Sequence, residues 1–152
     1  RFLDLCAGSG AIGIEALSRG AADVTFVDRS AKICSFIESN LKRCEVPQGQ
    51  ATVILGDAIE FLRHTMMSES VAWDIAFFDP PYAADYAPVL AFFGEGATLK
   101  HKSGVLVVEH HCDNRLPDTV GALRRWRIIR QGESCLSFYE KQNSGVRTRK
   151  KE

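Results

Sequence analysis

Four consecutive residues, Asp79-Pro80-Pro81-Tyr82, end an apolar run that begins at Asp74 and continues Ile-Ala-Phe-Phe. Proline fixes its own φ and restrains the residue before it, so the Asp79 carboxylate and the Pro80 carbonyl are set in place before any ligand arrives. Both can accept hydrogen bonds from one planar NH₂ group. An amine on a purine or pyrimidine ring keeps its lone pair delocalised and is a poor nucleophile. Two fixed acceptors on its hydrogens turn that pair toward an electrophile and stabilise the positive charge that develops on nitrogen. Tyr82 adds a ring face on which an extruded base can stack. The plainer alternative is a rigid turn in which Asp79 caps a helix and Tyr82 joins the core.

A second chemistry-bearing stretch opens the chain: Asp4-Leu-Cys-Ala-Gly8-Ser-Gly10-Ala-Ile-Gly13. This is a G-x-G-x-x-G pattern between a strand and a helix, in which Gly8 and Gly10 allow a tight turn and Gly13 allows the helix to pack on the strand. Asp28 closes the next apolar run 20 positions after Gly8, where an acid can accept from ribose hydroxyls. A dinucleotide would place its pyrophosphate on the helix N-terminus. S-adenosylmethionine (SAM) has no phosphate but carries an ammonium and a sulfonium, which suit an acid at the position of Asp4. Asp57, in Gly56-Asp57-Ala58 after the third run, can accept from an adenine amine, cap the following helix, or do both. Asp4 can alternatively bond only to the loop amides. Asp4, Gly8, Gly10, Asp28, Arg29, Asp57 and Ala58 are therefore the candidate cofactor residues, and Asp79, Pro80, Pro81 and Tyr82 the candidate catalytic ones.

The elements that must position these residues follow from periodicity. Strand-length apolar runs at Phe2–Cys6, Val24–Asp28, Thr52–Leu55, Asp74–Phe78 and Val105–Glu109 alternate with helical segments at Ala11–Arg19, Ala31–Arg43, Ala58–Met67 and Ala84–Leu99. That alternation predicts a parallel sheet covered by helices on both faces. Its ligands belong at the C-terminal ends of the strands, with the fourth strand beside the first. A short helix is allowed around Thr119–Arg125. Trp126–Arg130 and Cys135–Glu140 are close enough across Gln131-Gly132-Glu133 to form an antiparallel pair at the end of the sheet. The polar, basic residues 141–152 read as a mobile tail beyond a single domain over 1–140.

With 152 residues, 45% of them apolar, the chain has the size and core of one domain. Its 19 basic and 19 acidic residues cancel, so a polyanion would have to be held by local patches. Five scattered cysteines without a C-x-x-C pair read as reduced thiols, which points to the cytoplasm and argues against a disulfide framework. No apolar run approaches the roughly 18 residues of a membrane span. The chain opens at Arg1 inside a strand, so a preceding segment is expected to be missing.

Together "DLCAGSGAIGIEALSRGA", "FVDRSAKICSFIESNL", "GDAIEFL", "DIAFFDPPY" and "GVLVVEHH" resemble the RsmD-type 16S ribosomal RNA guanine-N2 methyltransferases over Phe2 to Glu140. The resemblance implies a Rossmann-like class I SAM-dependent methyltransferase fold, α/β, with a mostly parallel seven-stranded sheet whose last strand is antiparallel. It implies SAM as cofactor, and as partner 16S rRNA or the small ribosomal subunit. It also implies a short N-terminal segment that helps to hold RNA. Cys6 departs from the larger apolar residue, such as phenylalanine, that the family pattern leads one to expect.

Several other features carry less. Glu109-His110-His111-Cys112-Asp113 has the composition of a metal site, but successive residues of an extended chain point to opposite sides; a loop after the fifth strand is expected, and no metal. His64 and His101 have no evident partners. No cysteine is placed as a cytosine-C5 nucleophile beside a proline. Arg124, Arg125, Arg127, Arg130, Arg147, Arg149, Lys150 and Lys151 are either solvated faces or contacts to RNA phosphates. A monomer is expected. Competing readings are a methyltransferase for another amine, such as DNA adenine or a protein glutamine, an NAD-dependent oxidoreductase, and a non-catalytic RNA-binding domain on the same fold.

Overall fold

The computed structural model describes residues 1–65, 72–95, 99–100 and 103–142. Its elements are β1 (Phe2–Leu5), α1 (Ala11–Ser18), β2 (Val24–Asp28), α2 (Ala31–Arg43), β3 (Ala51–Leu55), α3 (Ala58–Thr65), β4 (Ile75–Phe78), α4 (Ala87–Glu95), β5 (Val105–His111), β6 (Thr119–Val120), β7 (Leu123–Gln131) and β8 (Ser134–Lys141). One sheet in the order β3-β2-β1-β4-β5-β8-β7-β6 holds all the strands. β1 to β5 are parallel to one another, and β8 runs antiparallel to both β5 and β7. The seven long strands and the reversed last strand are thus as the sequence implies. An eighth strand, β6, adds two residues at the edge, opposite Leu123 and Arg124.

Alternation along the strands divides the core in two. Leu3, Leu5, Val27, Phe78, Leu106 and Val108 pack with Leu62 of α3 and Leu90 and Phe93 of α4. Phe2, Val24, Phe26, Phe77 and Val107 pack with Ile14 and Leu17 of α1 and Ile37 of α2 on the opposite face. Strands buried on both faces need apolar residues at successive positions, which is why β1 and β4 read as continuous apolar runs. Ser30 starts α2 by accepting from the Ile33 amide at 3.4 Å.

The structure corrects four expectations. No helix forms over Thr119–Arg125; the segment is β6 and the start of β7, because Gly121 turns the chain back on itself beside Gly94. β5 continues through His111 instead of ending in a loop at Glu109, since Glu109, His110 and His111 pair with Leu136, Cys135 and Ser134 of β8. Among the described residues α4 begins at Ala87, not Ala84, and runs to Glu95, and Leu99 forms a bridge with Trp73 instead of joining a helix. Finally, Cys112 and Cys135 form a disulfide with their Cα atoms 5.2 Å apart. Their separation of 23 residues gives no sequence signal; the β5–β8 pairing brings them together. Cys6, Cys34 and Cys44 are free thiols. Cysteine usage therefore no longer argues for a reducing compartment. Among the described residues no helix is long and apolar enough to cross a membrane. Of the tail expected over 141–152, Lys141 ends β8 opposite Leu123 and the Gln142 amide donates to the Ala122 carbonyl; the rest, with Arg147, Arg149, Lys150 and Lys151, lies outside the described residues, as do His101 and the Met66–Met67 end expected for α3.

Gly13 shows how tightly α1 lies on β2. A Cβ there would stand 2.2 Å from Phe26 Cε1 and 2.9 Å from Val24 Cγ1, both buried in the core. Gly13→Ala is expected to lower stability by about 1–3 kcal/mol, the usual cost of overpacking a core. A urea midpoint equal to the parent's would show that α1 can lift without penalty.

Candidate active site

β1 lies between β2 and β4, so the chain leaves the C-terminal ends of all three strands at the point where strand order reverses. Leu5 pairs with Phe78 and Val27, which sets the glycine loop, Asp28 and the Asp79-Pro80-Pro81-Tyr82 segment side by side. Between them opens a cavity of about 730 Å³. Its walls include Gly8, Asp28, Arg29, Asp57 and Ala58 on one side and Asp79 to Tyr82 on the other. Of the predicted site residues only Asp4 and Gly10 do not line it.

Both of those residues lie beneath the loop. Asp4 is 2% exposed and its Oδ2 accepts from the Gly13 amide at 3.0 Å. Gly10 is buried at the start of α1 with φ of 76°, a left-handed conformation that side chains rarely adopt. Asp28 accepts from the Gly8 amide at 3.2 Å through Oδ2 and from Ser30 at 3.0 Å through Oδ1. Asp57 does cap α3, its Oδ1 accepting from Ile59 at 2.9 Å and Glu60 at 3.2 Å, and it borders the cavity as well.

On the opposite wall the Asp79 amide donates to the Leu5 carbonyl at 3.3 Å, and the Ala84 amide to Pro81 at 2.8 Å. Pro80 is buried, while Tyr82 is 49% exposed and meets His111 edge to face at 5.5 Å. The Tyr82 carbonyl accepts from Asn114 Nδ2 at 2.9 Å. Tyr82 is therefore a rim residue, not part of the core as the rigid-turn alternative requires, and Asp79 caps no helix among its hydrogen bonds.

The electrostatics are one-sided. Among the described residues, five carboxylates, those of Asp28, Asp57, Asp79, Asp85 and Glu109, line the cavity with a single cation, Arg29. Water reaches Asp79, yet the cleft walls deprive its carboxyl of bulk solvent, and this first, then the charge of Glu109, pushes its pKa up to about 6. Burial, opposed by the Gly13 hydrogen bond and reinforced by Asp79 and Asp28, pushes Asp4 up to about 7. Burial and then the charges of Asp28, Asp57 and Asp79 push the Cys6 thiol up to about 12, so it is no nucleophile at neutral pH.

This donor set fits SAM. Acids stand ready for ribose hydroxyls, an adenine amine and positive charge, and Val27, Ile59 and Phe78 offer apolar surface for a ring. It does not fit a pyrophosphate, because the amides of Gly8 and Gly13 already donate to Asp28 and Asp4. The sequence did not single out Glu109 or His111 as site residues. The position of Glu109 at the C-terminal end of a strand beside β4 was the available signal, obscured by the metal-like composition of its neighbours. His110 and His111 do diverge: His110 is buried and bonds Ser137 Oγ through Nε2 at 2.9 Å, whereas His111 stands beside Tyr82. On β7, Arg125 is tied to Asp118 and the Leu116 carbonyl, so it is structural. Arg124, Arg127 and Arg130 are exposed, Arg127 with its guanidinium 5.9 Å from the Phe138 ring centre.

A family model described as conserved hypothetical protein 95 matches residues 1–140. YlbH of Bacillus subtilis is 37% identical over 141 residues, which make up 93% of this chain and 76% of that protein. The Haemophilus influenzae protein named ribosomal RNA small subunit methyltransferase D is 36% identical over 138 residues, covering 90% of this chain and 68% of that one. Among solved structures, HI0767 from Haemophilus influenzae superposes with a TM-score of 0.82 at 28% identity, over 94% of this chain and 87% of its own.

Asp4 makes the free protein sensitive to pH. Its carboxyl ionises near 3.8 when unfolded and at about 7 when folded, so the folded state holds the proton more tightly. The stability this group contributes is complete below the lower value and is lost as pH rises through the upper one. Asp4→Asn keeps an acceptor for Gly13 but never ionises. Its melting temperature should match the parent's near pH 4 and exceed it increasingly up to pH 8; a difference independent of pH would refute this assignment.

Proposed function

The chain belongs to the conserved hypothetical protein 95 family, that of the RsmD-type methyltransferases, and on that premise we propose that it methylates the exocyclic N2 amine of a guanine in 16S ribosomal RNA. The observation that carries this reading is an acid-rich, cation-poor crevice with Asp79-Pro80-Pro81-Tyr82 on its wall. Such a crevice attracts a cationic methyl donor and presents acceptors to an amine.

When bound, SAM supplies a methyl carbon on a positively charged sulfur. Asp28 and Asp57 bind its ribose and adenine, with Gly8, Arg29 and Ala58 completing the cradle. Asp4 and Gly10 act from below, holding the loop in shape. The Asp79 carboxylate and the Pro80 carbonyl accept the two amine hydrogens and direct the nitrogen lone pair at the methyl carbon. Pro80 and Pro81 keep those acceptors from relaxing, so no reorganisation is needed as charge develops. Asp79, with its pKa near 6, is also suited to take the proton that the amine sheds. The exposed ring of Tyr82 stacks on the extruded base. Arg124, Arg127 and Arg130 contact phosphates, which fix register without reading sequence. The protein acts as a monomer in the cytoplasm, and residues 1–140 constitute the methyltransferase domain.

Mass spectrometry of nucleosides from small-subunit RNA treated with the protein and labelled SAM tests the reading. N2-methylguanosine is expected; label in DNA adenine or in protein glutamine would move the same chemistry to another substrate. Asp79→Ala should leave SAM affinity near the parental value and slow transfer by on the order of 10²–10³, the scale of one lost preorganised polar group. Because the grip needs the carboxylate ionised, kcat/KM should rise with pH through about 6, and Asp79→Asn should remove that limb. Parental turnover by Asp79→Ala would exclude the amine-grip mechanism.

A further inference from the structure

Of the carboxylates bordering the cleft, neither cofactor binding nor the amine grip employs Asp85 or Glu109; Asp85 accepts from the Ala87 amide at 3.0 Å at the start of α4, which leaves Glu109. Val108 of β5 pairs with Phe78 of β4, so Glu109 and Asp79 are the next residues along two neighbouring parallel strands. Such strands run about 4.8 Å apart. The Asp79 amide still donates to Leu5, which continues the strand pairing through that residue. Phe78 and Val108 face the α3–α4 side of the core, so alternation turns Asp79 and Glu109 to the same opposite side. Both border the one cavity. Half-buried Glu109 is held in place by Ser134, whose hydroxyl donates to Oε1 at 2.7 Å, and Oε2 has no hydrogen-bond partner among the described residues.

Resting on the reading above, we propose that Glu109 distinguishes guanine from adenine by accepting the N1–H of the base whose N2 amine Asp79 holds. Guanine presents N1–H and NH₂ side by side, donor next to donor, and two adjacent carboxylates match that edge. Adenine places an unprotonated N1, an acceptor, beside its amine. That nitrogen would face the Glu109 lone pairs in a sheltered site, where an unmatched polar contact is costly. The arrangement also accounts for a like-charge pair in the free protein: the Glu109 charge works against ionisation of Asp79, and two N–H donors relieve the repulsion once the base is seated.

The probe is 2-aminopurine, which keeps the amine but has no hydrogen on N1. Once the target nucleotide is mapped, RNA ligated from synthetic fragments can carry guanine or 2-aminopurine at that position. The parental protein should favour guanine in kcat/KM by on the order of 10- to 100-fold, the scale of one charge-assisted hydrogen bond. In Glu109→Gln, whose amide can accept from or donate to N1, the preference should fall toward unity. SAM affinity by calorimetry should stay at the parental value, and the melting temperature should not fall below the parent's. Equal use of both bases by the parental protein would overturn the proposal without needing any variant. A preference retained in Glu109→Gln would overturn it by assigning the discrimination to another contact, such as one at O6. A matching loss of SAM affinity would reassign Glu109 to the cofactor. Absence of N2-methylguanosine from unsubstituted RNA would instead remove the underlying functional reading, and this inference with it.

Discussion

The arrangement of the molecule depends on the parallel pairing of β1 with β4. Because Leu5 sits opposite Phe78, the glycine loop and the acid-proline segment leave the sheet at the same level and on the same edge. A slip of one residue would reverse every side chain on β4, turning Phe77 and Phe78 away from the core faces each now fills. Burial on both faces thus fixes the register, and the register places Asp79 against the cavity that Gly8 and Asp28 border.

The same geometry concentrates negative charge. Asp4, Asp28, Asp79 and Glu109 all come from the C-terminal parts of adjacent parallel strands; burial is the first cause of the raised pKa values of Asp4 and Asp79, and the neighbouring acids add to it in the free protein. A ligand carrying positive charge offsets that charge, and a phosphate would add to it. Here the electrostatic character of the crevice distinguishes SAM from a dinucleotide, which the glycine pattern by itself does not.

Much of the fold was legible because it follows from local rules. α2 begins and ends where the sequence predicts, with Ser30 as its cap, and the β7–β8 hairpin closes across the expected residues. Short-range signals failed where a distant partner decides. Thr119–Arg125 has no strong helical pattern, and its pairing with β7 and packing against Gly94 override the weak preference. β5 runs on to His111 because β8 supplies hydrogen-bond partners that lie more than 20 residues downstream. The Cys112–Cys135 bond arises from that pairing too.

For the site, the sequence by itself determined the residue types and their order: an acid before a glycine turn, acids after the second and third strands, and an acid held by two prolines. Those are set by backbone conformations that only glycine or proline favours, and such preferences act within a few residues. Tertiary structure alone decided which acids meet. It buried Asp4 under the loop while leaving Asp28 and Asp57 at the cavity, made Tyr82 a rim residue beside His111, and brought Glu109 next to Asp79. Adjacency across a parallel sheet joins residues about 30 apart in the chain, as Phe78 and Val108 are, through crossovers that leave no periodic trace in the sequence.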